Sequence, residues 1–347
     1  MTKRQLSLAD FRTEVLSPQL LAHNIDFDRR AMLFIRVSED DYRRSSFLDD
    51  RILTPETEGA WIRLEAVAAA VAEIQPGASL HYIFHSGHVG STLLSRLLDR
   101  ASGVMGLREP LVVRSLATAQ DDPARYGIGP QELDQLIAGQ SRLWRRAFPG
   151  VGHTILKATS SAVRIGHRLL AAAPSAKAIC LNVGLETYLA TLLAGELSPL
   201  DLERHRPERE HRLAALLGVV APSAQGPGEQ AALAWTTESL SQAELSKAFG
   251  ERILRVDFDR LLNDVADTLR VVTTHLDLSA APSFFEQAPY SDVMRSYAKA
   301  PEAPYSALMR AQSLTEARSR FASEITLGLR WVDQLSRQSP SVAALLK

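Results

Sequence analysis

The sequence predicts an α/β fold: a three-layer, mainly parallel sheet flanked by helices. Three observations carry this expectation. Short apolar runs of strand length recur along the chain: LHYIFHS at 80–86, TILKAT at 154–159, AKAICLNV at 176–183 and RILRVDF at 252–258. Segments with apolar residues at helical spacing separate them, and such alternation is what a parallel sheet covered on both faces requires. The first run also leads through a Gly-containing turn directly into the amphipathic stretch STLLSRLLDRAS, giving strand, turn and helix in succession.

Each element follows from the same patterning. Residues 1–79 read as an N-terminal α/β extension packed on the core, with a strand at 32–37 (MLFIRV) and a helix at 61–74 (WIRLEAVAAAVAEI) stopped by Pro76-Gly77. The charged stretch DDYRRSSFLDDRIL between them carries no motif. Residues 80–347 read as a P-loop-type domain. Helices are expected at 130–147, at 163–173 before Pro174, at 185–195, at 231–249 before Gly250 and at 265–276. The polar, Pro- and Gly-punctuated region 196–230 reads as an excursion or lid.

Composition narrows the class. Apolar residues make up 46% of the 347 and charged residues 23%, which is globular rather than disordered. The formal net charge is −1, so a protein that coats nucleic acid or an acidic membrane is not expected, and any anion must be met by a local site. The single cysteine, Cys180, sits in an apolar run and reads as core. The start MTKRQLSLADFRTEVL has no long apolar segment, and no run is long enough to span a membrane, so the expected location is the cytoplasm.

The turn Ser86-Gly87-His88-Val89-Gly90-Ser91-Thr92 is the most informative stretch. A helix N-terminus presents unpaired N–H groups and a positive dipole end, and glycines let the chain wrap those groups around an anion. Ser91 and Thr92 add hydroxyls. Compared with G-x-x-x-x-G-K-[ST], Gly90 and Thr92 fit, whereas His85 replaces the first glycine and Ser91 the lysine. The missing lysine counts against a nucleoside triphosphatase or kinase. Asp257 and Asp259 are the nearest carboxylates for magnesium and are equally well explained by a strand end. His85 and His88 lack a nearby third metal ligand, and no metal is expected.

His88-Val89-Gly90-Ser91-Thr92-Leu93-Leu94 resembles the first donor motif of the sulfotransferase family, approximately [RK]-S-G-T-T-L-L after a strand. TILKATS, PSAKAICLNV and the stretch 235–278 are similar, in order, to later family segments, so the resemblance spans 80–278. It implies a P-loop sulfotransferase-like architecture with a helical lid. It also implies 3′-phosphoadenosine-5′-phosphosulfate as donor and sulfuryl transfer to a hydroxyl or amine of a small molecule or peptide. The donor-binding residues it implies are Ser86, Gly87, His88, Val89, Gly90, Ser91, Thr92 and Thr191, with Lys157, Arg295 and Lys299 as candidate cations. Glu109, before Pro110, is the implied base, and His88 the alternative acid or base. The sequence departs from the family at His88, where Lys or Arg is usual, and at Val183, where the second donor motif has Arg. Leu185 stands at that motif's Pro and Asp259 at a usual Glu. Arg114 could steer a substrate anion or form a surface ion pair. The departures keep two alternatives open, a nucleoside-triphosphate-dependent kinase or transferase and a nucleotide-binding protein without activity. Acceptor identity and oligomeric state are not encoded in any motif.

Overall fold

The structure, a computed structural model, describes residues 8–75, 77–196 and 198–346. The first seven residues of the N-terminal stretch and the breaker Pro76 lie outside the described residues. Strands β1 (Leu20–Asp26), β2 (Ala31–Arg36) and β3 (Gly59–Arg63) form an antiparallel sheet. Strands β4 (Ser79–His85), β5 (Val104–Arg108), β6 (His153–Lys157), β7 (Ala178–Asn182) and β8 (Ile253–Asp257) form a parallel sheet in the order β5-β6-β4-β7-β8. A small antiparallel hairpin, β9 (Ser296–Tyr297) and β10 (Ala300–Pro304), follows late in the chain.

Side chains alternate across a strand, so each buried parallel strand serves two cores. Leu80, Tyr82 and Phe84 of β4 face one apolar cluster with Leu156, Ala178 and Cys180. Ile83, Ile155, Ile179 and Leu181 face the other. The first cluster also takes in Phe11, Leu21, Phe34 and Val67, so the N-terminal extension is packed on the sheet and shares its core. The second is covered by the helices Leu185–Leu193, Pro227–Phe249, Val265–His275 and Ala322–Gln338. Two of these cross closely enough that a Cβ on Gly228 would stand 1.9 Å from the Glu324 carbonyl oxygen.

The expected α/β class and its parallel strands are present, and three segments differ from the sequence reading. Trp61–Arg63 pair with β2 as the end of β3, and the helix begins only at Leu64. An antiparallel partner and the β-favouring Trp-Ile pair outweigh the helical spacing there. β5 was not anticipated, because Gly106 and the charged Arg108 break its apolar pattern. Most of 196–230 is ordered as the helix Ser198–Leu217, docked on Pro227–Phe249 by a buried Arg212–Glu238 ion pair (2.8 Å).

Candidate functional site

The order of the strands places the carboxyl ends of β4, β5 and β6 together, with β4 central, and this is where open α/β sheets present ligand-binding groups. After His85 the chain passes through Gly87 (φ 95°), His88 (φ 54°) and Gly90 (φ 71°) before the helix Ser91–Leu98 starts. Left-handed positions in close succession curl the backbone so that its N–H groups converge. Gly90 has no room for a side chain, since a Cβ would lie 1.9 Å from the Phe258 ring.

His85 braces this turn. Its Nε2 lies 2.8 Å from the Ala158 carbonyl and its Nδ1 accepts the Gly87 N–H at 3.1 Å. A carbonyl only accepts, so the hydrogen sits on Nε2 and the ring is neutral. Burial, reinforced by the charge of Lys157, pushes His85 down to about 3. Ser86 is equally committed: its Oγ donates to Asn182 (2.7 Å) and its carbonyl accepts from the Tyr188 hydroxyl (2.8 Å).

Beyond Gly87 the pattern reverses. Leu94 is the first residue whose N–H finds a helical partner, the Gly90 carbonyl at 3.0 Å. Among the described residues, the N–H groups of His88, Val89, Gly90, Ser91, Thr92 and Leu93 have no hydrogen-bond partner. The Thr92 hydroxyl is buried and also without one.

These residues line a cavity of about 220 Å³. Phe258, Leu262, Val293 and Met294 give it an apolar wall. The helix Ala307–Arg320 presents Arg310, Ser313, Leu314 and Ala317, a set at i, i+3, i+4 and i+7 that shares one face. The β9–β10 hairpin contributes Tyr297 and Lys299. Lys299 is half-buried and has no ion pair among the described residues. Burial and then repulsion from Lys157 hold its ammonium below the usual lysine range. Arg310 lies 2.7 Å from Asp259 and 4.9 Å above the Phe258 ring. His88 is solvent-exposed at the cavity. Its crowded position, with Lys299 opposing a second positive charge, shifts the imidazole downward and favours the neutral form.

Glu109 follows β5 at a left-handed φ of 51°, a conformation unfavourable for a side-chain-bearing residue. Its N–H donates to the Lys157 carbonyl (2.7 Å), and its carboxylate pairs with the Lys157 ammonium, which is fully buried at the end of β6. Burial alone would raise the Glu109 carboxyl, yet Lys157, with His85 and Lys299, carries it down to about 2. The pair is therefore ionised. Arg108 is not the partner of Glu109; it turns away to bond Asp99 and the carbonyls of Tyr42, Arg43 and Ser45.

The cavity brings together His88, Val89, Gly90, Ser91, Thr92, Glu109, Thr191 and Lys299, with Lys157 directly behind Glu109. Ser86 and Gly87 shape the turn from outside the lining. Arg295 is exposed and does not line the cavity, and Arg114 is exposed. Thr191 spends its hydroxyl proton on the Thr187 carbonyl (2.7 Å), leaving lone pairs toward the cavity. Val183 lines a different groove, beside Trp235. Asp257 caps the helix Phe258–Asn263. Cys180 is buried, which pushes its thiol up to about 12. Among the described residues no group of three or more His, Cys, Asp or Glu is placed to hold a metal ion, and no helix is long and apolar enough to cross a membrane. Sequence reasoning missed Arg310 and Phe258; the only available signal for Arg310 was the helical spacing of 310, 313, 314 and 317.

No family model matches the chain, and no curated protein matches it. Three of the solved structures to which the chain is similar are sulfotransferases. The sulfotransferase domain from the curacin biosynthetic pathway shares 16% identity at a TM-score of 0.42, over 75% of this chain and 98% of that one. Sulfotransferase STF9 from Mycobacterium avium shares 14% at 0.41, over 73% and 79%. Mouse sulfotransferase SULT7A1 complexed with PAP shares 12% at 0.43, over 80% and 92%. These likenesses are distant, and the functional reading rests on the site.

Proposed function

We propose that this protein binds a nucleotide phosphosulfate, 3′-phosphoadenosine-5′-phosphosulfate or a close analogue, and transfers its sulfuryl group to a hydroxyl or amine of an acceptor. The observation that carries the reading is the set of six partnerless N–H groups at 88–93 with the orphan Thr92 hydroxyl, opposite an unpaired Lys299. The first N–H groups of a helix have no partner within it, and an oxyanion satisfies them; the buried Thr92 hydroxyl, cut off from water, costs roughly 1–3 kcal/mol until it too finds a partner. The missing Walker lysine argues against a triphosphate, whose terminal phosphates that lysine meets.

The donor, when bound, supplies an activated sulfuryl group whose sulfur–oxygen bond to phosphate breaks as the acceptor's oxygen or nitrogen attacks. The chain supplies the rest. The turn amides and Thr92 hold the anionic bridge, and Lys299 and Lys157 neutralise charge on the transferring oxygens. Phe258, with Arg310 above it, and the apolar wall give a flat slot for the nucleoside. Glu109 takes the acceptor's proton. Its value of about 2, held down by the paired Lys157, makes it a weak base in the unliganded site. An anion that draws Lys157 toward itself removes that restraint, so the base strengthens as the donor binds.

The test is a thermal shift with adenosine 3′,5′-bisphosphate, with ATP and magnesium, and with neither. Stabilisation by the bisphosphate and not by ATP is expected. A response to ATP with magnesium alone would replace the proposal with a kinase.

A further inference from the structure

Arg96 belongs to none of the chemistry above, yet it joins three separate segments around the cavity. It lies on the helix Ser91–Leu98, whose first turn forms the anion cradle. Its Nε donates to the Ala298 carbonyl (2.9 Å), and its Nη2 donates to the Arg44 carbonyl (3.0 Å) and the Ser46 hydroxyl (2.8 Å). Ser46 in turn donates to the same Ala298 carbonyl (3.4 Å). Ala298 is in the turn of the β9–β10 hairpin and immediately precedes Lys299.

Arg96 is half-buried and has no carboxylate within ion-pair distance among the described residues. Its charge is therefore not explained by neutralising another residue. Its flat fork of donors suits a different task, fixing several acceptors at once in one geometry, which a lysine cannot do. The hairpin's other ties are local. Its two strands are short, the Tyr305 N–H donates to the Arg295 carbonyl (3.0 Å), the Ser296 hydroxyl donates to the Asp292 carbonyl (3.0 Å), and the Tyr297 and Tyr305 rings meet at 5.4 Å.

We infer that Arg96 is a positioning residue that holds Lys299 over the phosphate turn by tying the hairpin to the donor helix and to the N-terminal extension. This rests on the anion-binding reading above. The N-terminal residues 44–46 thereby become part of the site's frame. The sheet core does not require this arrangement; the cavity does, because among the described residues that line it only the hairpin's Lys299 is a cationic side chain without an ion pair.

Two measurements on the full chain test it. Hydrogen exchange in the ligand-free protein is expected to speed up by roughly tenfold over 296–304 in Arg96→Ala, with β4 and β6 unchanged. Titration with adenosine 3′,5′-bisphosphate is expected to show a loss of about tenfold in affinity in Arg96→Ala and in Lys299→Met, with the double variant no weaker than Lys299→Met alone. Arg96→Lys is expected to lie between Arg96→Ala and the wild type. Unchanged exchange in Arg96→Ala, or losses that multiply in the double variant, would overturn the inference. If the wild type does not bind the bisphosphate, the proposed donor falls, and hairpin exchange alone decides the role of Arg96.

Discussion

Arg108 and the turn at 88–93 sit at the same edge of one sheet and treat their polar groups in opposite ways. Arg108 is fully buried, and its guanidinium donates to Asp99 and to the carbonyls of Tyr42, Arg43 and Ser45. The turn offers six backbone donors and a buried hydroxyl, and the described residues answer none of them. A buried cation held only by its own chain is explained by folding, because it binds a segment of the extension to β5. A row of partnerless donors with a buried hydroxyl among them is different, because no described residue answers it and the hydroxyl would be more stable paired. The difference separates polarity that the fold satisfies from polarity that it leaves open to the cavity.

The largest expected effect falls on the structural side. Arg108→Met leaves three carbonyls without their donor and Asp99 with only the Gly106 N–H (2.8 Å) and the more distant Arg43 (3.5 Å), and is expected to cost about 3–5 kcal/mol, read by urea unfolding. The folded fraction should still respond to adenosine 3′,5′-bisphosphate, weakened by no more than the roughly tenfold expected when Arg96 loses its anchor at 44–46, since Arg108 itself does not line the cavity. A stable variant that had lost the ligand response would break the comparison.

An unpaired atom outside the cavity lining provides the control. His81 Nε2 is buried without a partner, and the ring stacks on His153 at 5.7 Å. Burial and then His153 push His81 down to about 4, with Lys177 and His275 acting the same way and Asp277 against them. Above pH 6.5 the ring is neutral whether folded or unfolded. As pH falls from 6.5 toward 4 the unfolded chain takes up a proton that the folded ring refuses, so stability is lost across that window, on the order of 2–3 kcal/mol. Glu109 works lower. Its depressed carboxyl contributes stability above its unfolded value of 4.5 that is lost as pH falls toward about 2. Melting temperature against pH should lose its upper limb in His81→Leu and its lower limb in Glu109→Gln. The ligand response near neutral pH should survive in His81→Leu. Its loss would show that an unpaired atom can matter to the ligand without facing the cavity.

Gly90→Ala tests the cradle itself. A Cβ would strike the Phe258 ring, and a left-handed φ is unfavourable for alanine. The expected cost is roughly 2–3 kcal/mol with the bisphosphate response abolished. Normal stability and binding would mean that the turn geometry is not what the cavity depends on.

The legible parts of this molecule were those written in local pattern. The run LHYIFHS, the glycines at 87 and 90 and the leucines after them encode strand, turn and helix within a few residues, and the structure has all three. Glu109 could be placed on a loop because Pro110 follows it, and Lys157 at a strand end because it closes an apolar run. What could not be read depends on contacts between distant segments. β5 looks too polar to be a strand until Arg108 is seen to reach back to residues 42–45. Arg310 and Lys299 come to the cavity from helices and a hairpin whose approach is set by tertiary packing, and Arg295, close by in sequence, stays outside. The helix Ser198–Leu217 is polar enough to read as an excursion or lid; its long-range Arg212–Glu238 pair helps dock it.

The smallest expected change is the sharpest, because it runs in opposite directions for fold and ligand. Thr92 carries a buried hydroxyl that no described residue satisfies, and valine has nearly its shape without that polar group. In a chain whose only task was to fold, removing an unsatisfied hydroxyl from a buried position would be neutral or favourable by about 1 kcal/mol. Thr92→Val is therefore expected to melt no lower than the wild type, and slightly higher, in the absence of ligand. Its stabilisation by adenosine 3′,5′-bisphosphate should shrink, by about the value of one hydrogen bond to a charged group, roughly 1.5–3 kcal/mol in binding. A variant that lost stability and kept full ligand response would assign the hydroxyl to the fold, and the line drawn between Arg108 and the turn would have to be moved.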